Sequence, residues 1–292
     1  MADREVVHVA VAPPANPDAG LVASVATVIN KSPYDTRLLL AGKIPKIIAH
    51  YPSLETAQAI VQTLRGLGLM AIACKDSEIC QSLPGFRTHT LEFRDKEVIF
   101  RDIAGSEKSI KENSVFLILE VITETAIEKM QPVETKKLSL TKTLFAGGVP
   151  MWQKVNEKTT AQPIQTEHFI RLYDQKSPNP VVQLYQDEMN YLFLGTNRDV
   201  SSRKNFSAVI LKIRELFFQA IFDDKLAKPF ATTAYSNQAW KDVETNCRLI
   251  FWFHSLSNGL DPPMISERGR SVSLFCGNPG FLYRGGNDAT NQ

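Results

Sequence analysis

The chain has 292 residues, of which 43% are hydrophobic and 22% charged, and its formal net charge is +2. This length suggests about two domains, and the nearly balanced charge gives no reason to expect a nucleic-acid partner. The N-terminal residues lack the apolar core of an export signal, and no apolar run is long enough to span a membrane. Four scattered cysteines favour reduced thiols. We therefore expect a cytoplasmic, bacterial-type protein.

The first 82 residues predict a small α/β module. Ser32 and Ser53 are placed to cap helices, and Gly66 and Gly68 are placed to end one. Apolar spacing then predicts the order strand, helix, helix, strand, helix, strand, over Val6–Val11, Leu21–Ile29, the segment after Ser32, Pro45–His50, the segment after Ser53, and Leu69–Cys74.

A Gly-x-x-Pro-Lys turn, with Gly42, Pro45 and Lys46, leads into the middle strand ahead of the Ser53-capped helix. In these features residues 5–75 resemble the C-terminal domain of the bacterial ribosomal stalk protein, and they are similar to the adaptor of the Clp protease machinery. Both relatives are binding modules, so the resemblance implies a β-α-α-β-α-β fold and a binding role; a scaffold or dimerisation unit is the alternative. The stalk protein recruits translation GTPases through basic residues on its first two helices. Because Leu21–Ile29 contains no lysine or arginine, we carry over the fold and no binding residue.

From residue 86 the pattern changes to short strands. Two alternating runs, His89–Arg94 and Glu97–Ile103, predict a hairpin. Further strand-like runs follow at Val115–Thr123, Lys137–Phe145, Met151–Thr159, His168–Tyr173, Val181–Tyr185 and Tyr191–Leu194. An amphipathic helical stripe then runs from Phe206 to Ile221. Strands closed by such a helix resemble a bacterial pleckstrin-homology-like domain, which implies an antiparallel barrel.

The predicted fold class is therefore α+β, with an α/β module over residues 1–82 and a β-rich, pleckstrin-homology-like domain over 86–230. A further helix, Asn237–Leu256, falls within residues 231–260 and could either complete the core or bind a partner. Residues 261–292 are rich in Gly, Pro, Ser and Asn, and we expect an irregular tail there.

The segment from Lys136 to Lys158 is the strongest candidate for a binding surface. Its basic residues are Lys136, Lys137, Lys142, Lys154 and Lys158, and they flank an apolar Gly-Gly tip with Leu144, Phe145, Val149, Met151 and Trp152. Three interpretations stay open. The apolar residues pack on the neighbouring domain, or they dock into a protein partner, or they enter an anionic membrane surface.

The sequence predicts no metal, cofactor or catalytic site. Cys74 and Cys80 lack a second pair at zinc-ligand spacing, and no Gly-x-Ser-x-Gly nucleophile motif occurs. His8 and His50 fall on predicted strands and could be neighbours, which favours packing and hydrogen bonding over metal binding. Asp223 and Asp224 favour a solvated turn. The glycine-rich run 275–287 lacks the following helix that a phosphate loop requires.

These features favour a non-catalytic interaction or adaptor protein with a protein partner of unknown identity. The alternative function is peripheral binding to an anionic membrane through the Lys136–Lys158 segment. The third hypothesis is an enzyme of unknown class, because active sites assemble from residues far apart in sequence. A pocket with two ionisable groups within hydrogen-bond distance would favour that third hypothesis.

Overall fold

The structure is a computed structural model that describes residues 5–80, 84–126, 133–138, 152–157, 164–227 and 238–260. Its N-terminal elements follow the predicted β-α-α-β-α-β order. They are β1 Val7–Val11, α1 Ala19–Ile29, α2 Pro33–Leu40, β2 Lys46–Tyr51, α3 Leu54–Gly66 and β3 Ala71–Lys75, followed by a short helix, α4, Asp76–Cys80. The three strands form an antiparallel sheet in the order β2-β1-β3.

Local hydrogen bonds explain where these helices begin and end. Both predicted serine caps are confirmed: the hydroxyl oxygen of Ser32 accepts a hydrogen bond from the N–H of Asp35, and that of Ser53 accepts one from Thr56. At the end of α2, Lys46 Nζ donates to the carbonyl oxygen of Ala41 at 2.7 Å. The lysine of the Gly-x-x-Pro-Lys turn therefore satisfies a carbonyl group that the helix leaves unpaired.

The central strand β1 is buried along its whole length. Side chains alternate between the two faces of a strand, and Val7, Val9 and Val11 accordingly join one core cluster with residues of α1 and α3. Ala10 belongs to a second cluster, which contains apolar residues from the C-terminal helix. The three-stranded sheet thus has apolar partners on both faces.

The rest of the described chain contains three further sheets and several helices. Its elements are β4 Phe86–Thr88, β5 Thr90–Arg94, β6 Glu97–Arg101, β7 Glu107–Lys111, β8 Leu117–Ala126, β9 Val133–Leu138, β10 Trp152–Glu157, β11 Ile164–Tyr173, β12 Val182–Tyr185, a 3₁₀ helix Tyr191–Asn197, α5 Ser202–Leu216, β13 Ile221–Leu226 and α6 Gln238–Ser257. The five-stranded sheet has the order β13-β8-β11-β12-β4, and β5-β6-β7 and β9-β10 form two further sheets. The predicted hairpin of β5 and β6 is confirmed.

The prediction of an antiparallel barrel closed by a C-terminal helix is wrong for the described residues. Their largest sheet is open and mixed, since β13 pairs parallel with β8 and β12 pairs parallel with β4. The predicted helix to Ile221 ends at Leu216, and Ile221–Leu226 is a strand. An apolar pair such as Ile221 and Phe222 fits either a helical stripe or a buried strand, so periodicity alone could not decide. The predicted strand Tyr191–Leu194 is a 3₁₀ helix for the same reason.

Helix α6 completes the core, which settles one of the two roles left open by the sequence. Its buried residues face all sides of the helix, as expected for a helix surrounded by protein: Cys247, Leu249, Ile250, Phe251, Trp252 and Phe253. They share one cluster with Ala10 and Ile72 of the N-terminal sheet and with Leu117 and Phe169 of the five-stranded sheet. One helix therefore supplies apolar contacts to two sheets.

Two buried arginines make polar links between α6 and neighbouring parts of the chain. Arg248 of α6 donates to the carbonyl oxygen of Glu78 at 2.6 Å and to Oδ1 of Asn179 at 2.9 Å. Arg171 of β11 donates from Nη1 to Oε2 of Glu244 at 2.8 Å. The domain boundary predicted near residue 82 and the predicted tail 261–292 lie outside the described residues.

Candidate functional site

The predicted binding segment contains the two-stranded sheet of β9 and β10, which we call the hairpin arm. Six residues separate β8 from β9, and six separate β10 from β11. The β8–β11 ladder ends with the pair Ala126 and Ile164, and the β9–β10 ladder begins with the pair Val133 and Glu157. Because the two connecting segments have the same length, both ladders follow one register. In the sequence, β9 therefore follows β8 and β10 precedes β11 at matching distances.

Four of the seven predicted binding residues lie on the hairpin arm. Lys136 pairs with Lys154, Leu138 pairs with Trp152, and Lys137 pairs with Gln153. Because alternate positions share a face, the register places the Lys136–Lys154 pair and the Leu138–Trp152 pair on the same face of the ladder. Lys137 occupies the other face. Lys142, Phe145 and Lys158 lie outside the described residues.

A histidine pair on the neighbouring strands β1 and β2 confirms the expected proximity of His8 and His50. Their Nδ1 atoms are 2.7 Å apart, and His8 Nε2 lies 2.9 Å from Oδ1 of Asp76. The carboxylate can only accept, so His8 is protonated at Nε2, and one of the two Nδ1 atoms donates to the other. These hydrogen bonds fix both imidazole rings, in agreement with the predicted packing and hydrogen bonding.

The surroundings of His50 disfavour its charged form. Burial lowers the pKa of His50 below its ordinary value, and the neighbouring His8 and Lys31 lower it further. Asp76 begins α4, a helix that the sequence analysis did not predict, and this is why it was not recognised as the partner of His8. Helix α4 has only five residues, which is too short for a helical period to be recognised in the sequence.

The second polar cluster lies beside a cleft of about 540 Å³ between loops of the N-terminal module and α6. Asp223 of β13 is buried, with 3% of its side chain exposed. Its Oδ2 accepts hydrogen bonds from Nε2 of His254 at 2.8 Å and from Nζ of Lys225 at 2.7 Å. Both donors line the cleft. The prediction of a solvated turn at Asp223 is therefore wrong, because its strand pairs with β8 and carries the carboxylate into the interior.

Asp223 is ionised in the folded protein. Burial by itself would raise its pKa, but the hydrogen bonds from His254 and Lys225 outweigh burial and hold the pKa at about 2. The ionised carboxylate in turn fixes the His254 ring with its proton on Nε2. Within the described residues Nδ1 of His254 has no hydrogen-bond partner, so this atom is available as an acceptor.

The condition set for an enzyme was a deep pocket that holds two ionisable groups within hydrogen-bond distance, and this cluster meets it only in part, because Asp223 lies beneath the cleft and does not line it. No sequence motif marks the cluster, since its members come from β13 and α6. A buried position for Asp223 could have been inferred from its place after Ile221 and Phe222 only if β13 had been recognised as a strand.

Other chemistry is limited in the part of the chain that the structure describes. No three His, Cys, Asp or Glu side chains there are grouped closely enough to hold a metal ion. Cys74 and Cys247 are buried free thiols, and burial raises their pKa values to about 12 and about 11. Both therefore stay protonated and unreactive at neutral pH. None of the described helices combines the length and apolar character needed to cross a membrane.

Comparisons with models of protein families, with curated proteins and with solved structures found no match to this chain. The resemblances to the ribosomal stalk protein and to pleckstrin-homology-like domains therefore stay predictions. The candidate functional features of the described chain are therefore the hairpin arm and the two polar clusters.

Proposed function

We propose that the protein is a non-catalytic cytoplasmic adaptor that binds an acidic protein partner through the hairpin arm. The observation that carries this proposal is the register of the arm, in which Lys136 and Lys154 are directly opposed. Like charges at opposed positions destabilise a ladder. An acidic partner would offset this repulsion, and complementary charge also accelerates association and selects partners.

The sheet topology supports the same proposal. Among the described strands, β9 and β10 pair only with each other, so each has an unpaired edge. An unpaired edge can receive a strand from a partner. Lysines at such edges also discourage indiscriminate pairing, which makes a partner of complementary charge the best fit.

Reversing the charge of the opposed pair tests the adaptor proposal. A chain with Lys136→Glu and Lys154→Glu keeps a like-charge pair at this position but changes its sign. We expect it to lose a partner that the wild-type chain captures from a lysate, with affinity for the purified partner reduced at least about tenfold. Affinity of the wild type should also fall as salt is added. Quantitative pull-down followed by titration with the purified partner measures both effects.

The matched control is a chain with Lys96→Glu and Lys176→Glu, two exposed lysines in turns away from the arm. It changes net charge by the same amount and should retain the partner. Equal binding by the two charge-reversed chains would show that net charge alone is responsible. Unchanged binding by the Lys136→Glu, Lys154→Glu chain would contradict the proposed role of the arm.

The second candidate function is binding to an anionic membrane surface. Its support is the shared face of the Lys136–Lys154 and Leu138–Trp152 pairs. Tryptophan favours membrane interfaces, and each lysine near an anionic surface contributes about 1 kcal/mol. Both groups of residues would therefore act at the same surface.

Co-sedimentation with vesicles tests this second function. At low salt we expect retention on vesicles of phosphatidylcholine with phosphatidylglycerol and none on phosphatidylcholine alone, and Trp152→Ser should reduce retention several-fold. Phe218→Ser is the control, because Phe218 is an exposed aromatic residue after α5, with 69% of its surface accessible. Absence of retention on the anionic vesicles would exclude this function, as would an equal effect of the two substitutions.

An enzyme of unknown class stays the third hypothesis, supported by the Asp223–His254 pair beside the cleft. Turnover in a hydrolase or transferase screen that disappears in His254→Gln would favour it over the adaptor proposal.

A further inference from the structure

The cleft between loops of the N-terminal module and α6 combines apolar walls with cationic groups. Pro13, Met70 and Phe253 contribute apolar surface, and Lys43 and Lys225 contribute ammonium groups. Met70 has 43% of its surface exposed although it is a large apolar residue. A concave apolar surface with a few convergent polar groups is the usual form of a small-molecule site.

The charges around this cleft favour an anion. No carboxylate is among the described residues that line it. The nearest acid, Asp223, lies beneath the surface and is already satisfied by Lys225 and His254. Lys43 has no ion-pair partner within the described residues, so its charge is uncompensated. A cleft that contains cations and lacks acids on its walls concentrates anions.

The buried carboxylate also positions one of the recognition groups. Lys225 uses one ammonium hydrogen on Asp223 at 2.7 Å, which leaves two others for a ligand. Lys43 lies in the turn after α2, next to Gly42, whose positive φ of 96° most side chains disfavour. Two separate segments therefore place ammonium groups around one space.

We propose that this cleft binds a small amphipathic organic anion. Its anionic head group accepts hydrogen bonds from Lys43 and Lys225, and its apolar body lies on Pro13, Met70 and Phe253. The ligand site is independent of the hairpin arm and of the adaptor proposal. Because the cleft is lined by loops of the N-terminal module and by α6, a bound ligand contacts both and stabilises their packing.

Titration of the full chain with hexanoate, followed by amide NMR shifts, tests this inference. We expect saturable shifts at Lys43, Met70 and Phe253. Hexanamide, which has nearly the same shape and no charge, should bind about tenfold more weakly because charged hydrogen bonds are lost. Inorganic phosphate should shift the amide signals of Lys43 and Lys225. It should have less effect on the amide signals of Ala12 and Phe253.

Variants locate the charge that matters. Lys43→Met should weaken hexanoate binding about tenfold and leave the spectrum of the free protein otherwise unchanged, because Lys43 is exposed. The matched control Lys176→Met, at an exposed lysine in a distant turn, should bind hexanoate like the wild type. Equal affinity for hexanoate and hexanamide, equal binding by Lys43→Met and wild type, or shifts confined to residues away from the cleft would each overturn the proposal.

Discussion

Replacing Glu244 by glutamine is expected to lower the free energy of unfolding by about 3 kcal/mol, because it leaves the Arg171 charge buried without its partner. Only 3% of the Arg171 side chain is exposed, against 26% for Glu244. Two hydrogen bonds join the guanidinium group to the carboxylate, one of them from Nη1 to Oε2 at 2.8 Å. Urea denaturation at neutral pH measures the loss.

The electrostatics of Arg171 identify Glu244 as the partner that matters. Burial disfavours the charged guanidinium, yet negatively charged neighbours raise the pKa of Arg171 above its ordinary value. Cys247 could act as such a neighbour only as a thiolate, and burial raises its pKa to about 11. At neutral pH the thiol is uncharged, so the carboxylate of Glu244 is the group that compensates Arg171.

Removing both charges provides the control. A chain with Arg171→Met and Glu244→Leu should stay within about 1 kcal/mol of the wild type, because apolar residues of similar volume replace a buried ion pair without a desolvation cost. If this double variant were as unstable as Glu244→Gln alone, lost packing rather than an uncompensated charge would be the cause.

Asp223→Asn is expected to remove about 2 kcal/mol of pH-dependent stability. The pKa of Asp223 is lowered from 3.8 to about 2 in the folded protein, and each unit of such a difference corresponds to about 1.4 kcal/mol. Since the folded-state pKa is the lower one, this contribution is complete above about pH 5. It is lost as the pH falls from 3.8 towards 2. Denaturation curves between pH 2 and pH 7 compare the two proteins.

The neighbouring residue offers a matched control for Asp223. Asp224 is exposed and occupies the next position of the same strand. Asp224→Asn should therefore keep both the neutral-pH stability and the acid dependence of the wild type. The interpretation fails if Asp223→Asn and Asp224→Asn have the same acid dependence.

Local signals were sufficient to predict the N-terminal elements. Ser32 and Ser53 satisfy helix N–H groups within three residues of themselves, and such short-range hydrogen bonds can be inferred from sequence order. The contact between His8 and His50 was also accessible, because both lie on predicted strands that proved to be neighbours.

Long-range pairing limited the rest of the prediction. β13 is a strand because β8 offers it a parallel edge, and nothing near Ile221 in sequence encodes that edge. The cleft has the same origin, since Lys43 and His254 are separated by most of the described chain. For α6, the helical period was clear, but its burial between two sheets depends on partners that only the tertiary structure defines.

The position of α6 in the chain has a consequence for biosynthesis. Residues 238–257 are made after both sheets, yet they cover apolar residues of each, including Ala10, Ile72 and Phe169. While the ribosome is still synthesising the chain, these surfaces are without their cover, and exposed apolar faces are prone to aggregation. The N-terminal sheet therefore completes its second apolar face only after α6 emerges.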